Sequence, residues 1–304
     1  MNATEGIVKS QTKAEAKQQG LGLLANLSEL SKARLSFLVL MTTLVGFLLG
    51  WRGRMDYTLL AATLLGTALS AAGASALNQW LERDLDALMP RTSDRPLPAR
   101  RMHPSDALLF GLLASGSGVA ILAFFANPLS AILAGLTILI YAALYTPLKR
   151  FTELNTLVGA VPGALPPLLG WTAATDHMSL GGWVLFLILW FWQMPHFLAI
   201  AWLYRDQYSA AGFKMLSTRD PEGWLTALQA LIYSVALLAI SLIPGLIGMA
   251  SHYYFFAALA LGAAMIYLSI IFLRHRTNTS ARHLFFASII YLPLLLGALI
   301  AFAH

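Results

Sequence analysis

Three polar side chains recur at four-residue intervals at the end of a long apolar run: Asn78, Glu82 and Asp86. If the helix of that run continues one or two turns further, they share an arc of roughly 80° along about 12 Å of axis. Asp84 and Arg83 then point elsewhere. Two carboxylates and an amide oxygen on one face suit a Mg²⁺ ion that bridges to phosphate oxygens. The alternative is a solvated loop whose charges satisfy one another.

Basic side chains lie near this array and at the end of a later apolar run. Arg91 and Arg95 follow the array directly and are able to hold phosphate oxygens by forked hydrogen bonds. Lys149 and Arg150 end the fourth apolar run. They either mark the inner side of a membrane or hold a diphosphate opposite the acidic residues.

The sixth apolar run contains His196, next to the helix-bending Pro195. If the helix continues through Asp206, the two side chains lie near one stripe, with His196 about 15 Å deeper at 1.5 Å per residue. His196 is then either a neutral side chain bonded to a backbone carbonyl that the proline frees, or a contact for a polar or metal-bearing substrate.

The elements that must position these residues are transmembrane helices. Of the 304 residues 58% are apolar and 11% charged, which indicates an all-α polytopic membrane protein. A polar cytoplasmic tail is expected at 1–33 and a single transmembrane domain at 34–304. Nine apolar runs are long enough to cross a bilayer: 35–51, 57–80, 105–126, 129–147, 154–175, 181–203, 224–246, 252–273 and 283–303.

Charge distribution sets the expected orientation. With the N-terminus inside, all of the 20 Lys and Arg residues except Arg52 and Arg54 fall on the inner side. This basic face meets anionic lipid, so the positive net charge does not indicate nucleic acid. The middle of every span lacks Asp, Glu, Lys and Arg, which argues against a coupled transporter. The chain has no cysteine, which excludes thiolate sites, and no Gly-rich nucleotide loop.

Together these stretches resemble the UbiA superfamily of intramembrane prenyltransferases, and its haem-modifying branch in particular. The resemblance covers most of the chain from about residue 30. It rests on five stretches: Asn78-x-x-x-Glu82-x-Asp84-x-Asp86, Arg91-Thr92-x-x-Arg95-Pro96-Leu97, Tyr145-Thr146-Pro147-x-Lys149-Arg150, Gly159 to Trp171, and Gln193-Met-Pro-His196-Phe with Tyr204-Arg205-Asp206-x-Tyr208.

The resemblance implies transfer of a farnesyl group from farnesyl diphosphate to a vinyl group of haem b, after which water captures the resulting cation. It implies a Mg²⁺ ion held by Asn78, Glu82, Asp86 and Asp206, and a haem contact from His196. The implied diphosphate contacts are Arg91, Arg95, Lys149, Arg150, Tyr204, Arg205, Tyr208 and Lys214. The implied location is a bacterial-type inner membrane with the active site on the cytoplasmic face, near oxidase-assembly or other haem-modifying partners.

Two features depart from the superfamily pattern. Glu82 stands where Asp is common, and Tyr204 and Tyr208 stand where the second acidic motif elsewhere has Asp, so Asp206 is its main acid. Three other functions stay open at this point: prenylation of an aromatic quinone precursor, transport of lipid or haem, and a non-catalytic role in oxidase assembly.

Overall fold

The computed structural model describes residues 22–303, and its architecture is a bundle of nine long helices. Within that range the only β-pairing is an isolated bridge between Ala250 and Ala303. The long helices are α1 (Ala33–Gly50), α2 (Tyr57–Asp86), α3 (Pro104–Phe125), α4 (Pro128–Leu148), α5 (Asn155–Thr175), α6 (Leu180–Leu203), α7 (Trp224–Leu246), α8 (His252–His275) and α9 (Asn278–Ala301). Two short helices, Arg205–Ala210 and Leu216–Arg219, lie between α6 and α7.

The number of spans agrees with the sequence. Among the described residues, α2 to α9 are each long and apolar enough to cross a membrane. Residues 22–30 form a further helical stretch, bent by 56° from Leu35–Gly50, and this pair makes a ninth span. The all-α, multi-pass prediction is therefore confirmed. Most of the expected polar tail, residues 1–21, lies outside the described residues.

Helix α2 is the longest element and extends past its apolar run, as the sequence predicted. Asp56 caps its start by accepting hydrogen bonds from the amides of Thr58 and Leu59. Helices α2 and α3 pack closely through glycines, since a Cβ at Gly73 or at Gly118 would collide with the facing helix. This tight pairing orients the last turns of α2, where the polar residues lie.

Helix α5 lies at the centre of the bundle and packs against α1, α4 and α6. Close approach to α1 depends on two glycines, because a Cβ at Gly46 would collide with the carbonyl of Pro167 and one at Gly170 with the carbonyl of Thr43. Small residues and prolines inside α5 therefore serve helix packing, and they also leave room for a cavity beside Gly163.

Helix α4 contains a π-helical stretch, Leu139–Tyr145. The wider turn brings Tyr141 and Tyr145 onto one side with their rings stacked at 5.6 Å, and both line the cavity described below. Thr146 donates its hydroxyl to the carbonyl of Tyr141 across this stretch. The π-helix thus presents polar aromatic groups to the end of α2.

Candidate active site

A cavity of about 570 Å³ opens between the helices and joins two chemically different regions. Its polar end is lined by the last turns of α2 and by the segments that follow α2, α4 and α6. Its other end is lined by apolar side chains, together with Gln193 and His196 of α6. The apolar residues there include Leu38, Val39, Leu169, Leu189 and Leu292.

The three polar residues of α2 lie side by side at the polar end, as their spacing predicted. Asn78, Glu82 and Asp86 are 1%, 4% and 1% exposed, so they are not part of a solvated loop. Asn78 Nδ2 donates to Glu82 Oε2 at 3.0 Å and to Thr146 Oγ1 at 2.9 Å. Asp84 on the same helix is exposed. The two buried carboxylates, Glu82 and Asp86, require partners of opposite charge.

Asn78, Glu82 and Asp86 each contact a basic side chain. Lys149 Nζ lies 2.8 Å from Glu82 Oε1, and Arg95 Nη1 lies 2.6 Å from Asp86 Oδ2. Lys32 Nζ donates to Asn78 Oδ1 at 2.8 Å. Lys32 belongs to the polar tail that was expected at 1–33 from the sequence. Its position just before the first span gave no signal of the bend that turns it into the cavity.

Both carboxylate oxygens of Glu82 lie close to the ammonium of Lys149. Lys149 Nζ donates to Oε2 at 3.1 Å, whereas buried Oε1 receives no directed hydrogen bond from the described chain despite its short distance to the same ammonium. Burial opposes the charge on Lys149, but Tyr145 and Glu82 outweigh it and raise the pKa of Lys149 above its usual range. Two carboxylates and an amide oxygen at one end of the cavity form an oxygen-ligand set that fits a hard divalent cation.

The chain after α6 meets the chain after α2. Arg91 Nη2 donates to the hydroxyl of Tyr208 at 3.2 Å, and its guanidinium lies 5.0 Å from the ring centre of Tyr204. Met89, Phe213 and neighbouring apolar residues form a small core beneath this contact. The two segments that the sequence analysis singled out therefore converge at the mouth of the cavity.

The prediction that α6 continues through Asp206 is wrong. The helix ends at Leu203, and Tyr204 leaves the helical conformation at φ −113°, ψ 18°. Asp206 is exposed on the following short helix and does not line the cavity, and among the described residues no His, Asp and Glu side chains gather in threes around a metal position. Arg205 points away, donating to the carbonyl of Trp202 and to Asn278 Oδ1.

Two further basic residues also lie outside the cavity lining. Arg150 and Lys214 have exposed side chains. The backbone amide of Lys214 donates to the carbonyl of Lys149 at 2.7 Å, and Asn155 Nδ2 donates to the carbonyl of Lys214 at the same distance. These bonds hold the loop after α4 against the loop after α6, and thereby position Lys149.

His196 lines the far end of the cavity, between the rings of Trp192 and Phe285 at 5.3 and 4.9 Å. Its Nδ1 lies 2.8 Å from the hydroxyl of Ser288 on α9. The bonding partner is therefore a side chain of another helix and not a carbonyl freed by Pro195. The ring is held in a fixed orientation on the cavity wall.

The charge balance of the polar end favours an anion. Among the described side chains lining the cavity, three cations accompany the two carboxylates: Arg91, Arg95 and Lys149. Burial lowers the pKa of a fourth basic group, Lys32, to about 7. A diphosphate, with or without a divalent cation, matches this positive excess.

Known proteins resemble this chain over most of its length. Residues 39–290 match the model of the UbiA prenyltransferase family. A "Protoheme IX farnesyltransferase" of Opitutus terrae is 47% identical over 273 residues, covering 90% of this chain and 92% of that protein. A protein of the same name from Solibacter usitatus is 42% identical, with 90% and 96% covered.

Solved structures share the fold at low sequence identity. A structure described as digeranylgeranylglyceryl phosphate synthase superposes with a TM-score of 0.79 at 16% identity, covering 91% of this chain and 97% of the other. A UbiA homologue of Archaeoglobus fulgidus bound to GPP and Mg²⁺ gives a TM-score of 0.63 at 16% identity, with 91% and 99% covered. The chain therefore belongs to the UbiA prenyltransferase family.

Proposed function

We propose that the protein transfers the farnesyl group of farnesyl diphosphate to a vinyl group of haem b, forming the hydroxyethylfarnesyl group of haem O. One observation carries the proposal: a single cavity joins a cationic, carboxylate-bearing end to an apolar chamber with a fixed histidine. The names of the relatives at 40–47% identity support the choice of farnesyl donor and haem acceptor.

The polar end is assigned to the diphosphate. Arg91, Arg95 and Lys149 would hold its oxygens. Lys32 is added to this set because it lines the same end of the cavity, beside Asn78. Mg²⁺ would be held by Asn78, Glu82 and Asp86, three buried residues with oxygen ligands on one face of α2. The A. fulgidus homologue bound to GPP and Mg²⁺ supports the choice of metal, not of these residues. When bound, the ion neutralises charge on the leaving diphosphate.

Six further residues were expected at the site from the sequence: Arg150, Tyr204, Arg205, Asp206, Tyr208 and Lys214. Tyr208 is retained as a diphosphate contact because it lines the cavity and bonds Arg91. The side chains of the other five lie off the lining, so the proposal gives them no contact with substrate in the arrangement described.

The apolar chamber is assigned to the farnesyl chain and the porphyrin. Cleavage of the bond between the farnesyl carbon and the diphosphate oxygen leaves an allylic cation, which the vinyl group attacks. A dry chamber keeps bulk water from the allylic cation before that attack. His196, with its ring on the chamber wall, is the proposed haem contact.

The decisive experiment supplies the purified protein with farnesyl diphosphate, Mg²⁺ and either haem b or a hydroxybenzoate. We expect diphosphate release and a farnesylated, hydrated haem by mass spectrometry, with no prenylated hydroxybenzoate. Prenylation of the hydroxybenzoate instead would assign a quinone-precursor enzyme. Movement of haem or lipid across vesicles with no diphosphate release would assign a transporter.

We further propose a bacterial-type inner-membrane location with the N-terminus and the polar mouth on the cytoplasmic side, facing anionic lipid. Support comes from the distribution of basic residues, since only Arg52 and Arg54 lie on the opposite side. The haem product would pass to haem-modifying or terminal-oxidase assembly partners.

A further inference from the structure

Two hydrogen-bond acceptors face the apolar part of the cavity from neighbouring turns of α6. The first is the amide oxygen of Gln193, a residue that is only 5% exposed. Its Nε2 donates to the carbonyls of Ala160 at 3.2 Å and Leu189 at 3.1 Å, which uses both N–H groups. The amide is therefore held in one orientation, and its oxygen Oε1 is left as an acceptor.

A glycine makes space for that oxygen. Gly163 of α5 and Gln193 both line the cavity, and a Cβ on Gly163 would collide with Gln193 Oε1. Within residues 22–303 no protein donor bonds this oxygen. Because Gln193 lines the cavity, its oxygen is available to a donor from outside the chain.

The second acceptor is His196, whose tautomer follows from its neighbour. The single hydroxyl proton of Ser288 is donated to the carbonyl of Phe285 at 2.6 Å. Ser288 Oγ must then accept from His196 Nδ1, 2.8 Å away, so Nδ1 carries the proton. Nε2 consequently has a lone pair, and no donor in the described chain engages it.

Residues 193 and 196 are separated by three positions, so their side chains leave the helix about 5–6 Å apart at Cβ. A water molecule that lies between the two acceptors can donate one hydrogen to each. The water oxygen then presents its lone pair away from α6, towards the middle of the cavity. A wall that is otherwise apolar would thus fix one water.

We propose that Gln193 and His196 hold the water that captures the haem-side cation, and that His196 removes its proton. The inference rests on the proposed function. After the vinyl group joins the farnesyl carbon, the positive charge lies on the vinyl carbon next to the porphyrin ring. The water oxygen forms a bond to that carbon, one O–H bond breaks, and the proton passes to His196 Nε2. The product is an alcohol, and diphosphate has already departed.

Without this water the cation has another outcome. It loses a proton from the adjacent carbon and becomes an alkene, which is lighter than the alcohol by one water molecule. The share of alcohol in the product therefore reports on the water step, independently of how fast diphosphate is released. A residue that only supports the fold would change the rate and leave this share unaltered.

The experiment measures the alcohol-to-alkene ratio by mass spectrometry in single-turnover reactions with farnesyl diphosphate and haem b. Three variants disturb the water position differently: Gly163→Ala displaces the amide oxygen, Gln193→Met removes it at similar volume, and His196→Phe retains an aromatic ring without the base. Gly135→Ala is the matched control, because a Cβ there meets open space. We expect the alkene share to rise at least tenfold in the three variants and not in the control.

The outcomes separate the two proposals. Release of diphosphate with only the alcohol in all three variants would overturn the water assignment and leave the farnesyl transfer intact. Complete loss of product in all three would also overturn it, since the pair would then act before the water step. If the unaltered protein forms no farnesylated haem, the proposed function itself fails. Absorption spectra of bound haem add a check: a change of axial ligand in His196→Phe would place Nε2 on iron instead.

Discussion

Glu82 is the residue on which the polar end of the cavity converges. It accepts from Asn78 and Lys149 through one carboxylate oxygen and leaves the other without a directed hydrogen bond. Removing its charge would leave Lys149 buried next to a neutral amide and would remove a metal ligand. Both effects weaken the stabilisation of a leaving diphosphate.

We therefore expect Glu82→Gln to lower kcat for farnesyl transfer at least about 100-fold, equivalent to about 2.7 kcal/mol of lost transition-state stabilisation. The amide has nearly the same volume, so the protein should insert as before, but it should be less stable because buried Lys149 loses its charged partner. Asp84→Asn is the control, because Asp84 is exposed two residues along the same helix. Near-normal rates for Glu82→Gln in steady-state assays would remove Glu82 from the site.

The site residues were predictable from sequence to different degrees. The triad on α2 followed from spacing alone, because a helix that continues past its apolar run places positions four apart on one face. Lys32 and Tyr141 bond Asn78 from distant parts of the chain, and nothing local signals such a contact. Gln193 lay inside a recognised motif, but its orientation depends on a carbonyl of α5.

At the scale of elements, the helix pattern was predictable and its irregularities were not. The apolar run of α6 passes into residues that tolerate a helix, so the sequence alone suggested continuation to Asp206. In the structure Ser217 donates to the carbonyl of Ala201, which satisfies one of the last carbonyls of α6 by a tertiary contact. The π-stretch of α4 likewise leaves no signal in hydropathy.

The contact between α1 and α5 depends on Gly170, which has no side chain. Gly170 lies against the carbonyl of Thr43, with the amide of Phe47 next to it, so any Cβ must push the two helices apart. Gly170→Val should destabilise the protein by about 1–3 kcal/mol through overpacking. It should also lower activity, because α1 and α5 both line the cavity.

Thermal unfolding in detergent measures this effect, and Gly116→Val on α3 provides the comparison, since a Cβ at Gly116 meets open space. We expect a lower Tm only for the Gly170 variant. Equal melting temperatures for both variants would show that the α1–α5 contact relaxes without cost.

For the whole molecule, orientation is set by charge and by the length of α2. Its 30 residues span about 45 Å, so the loop before it and the loop after it lie on opposite sides of a bilayer. The first loop contains Arg52 and Arg54, and the second contains Arg91, Arg95, Arg100 and Arg101. The excess of basic residues supports the proposed cytoplasmic position of the second loop and the cavity mouth.

The absence of cysteine makes this orientation directly measurable. Single cysteines at two exposed positions, Arg54→Cys and Ala99→Cys, would sample the two loops. A membrane-impermeant maleimide applied to intact cells should label the first and not the second, and inverted vesicles should give the opposite pattern. The unaltered chain is the blank. If Ala99→Cys were labelled in intact cells, the polar mouth would face outward, and a diphosphate substrate in the cytoplasm could not reach Glu82 without crossing the membrane. The labelling therefore tests both the orientation of the protein and the side of the membrane from which a substrate reaches the cavity.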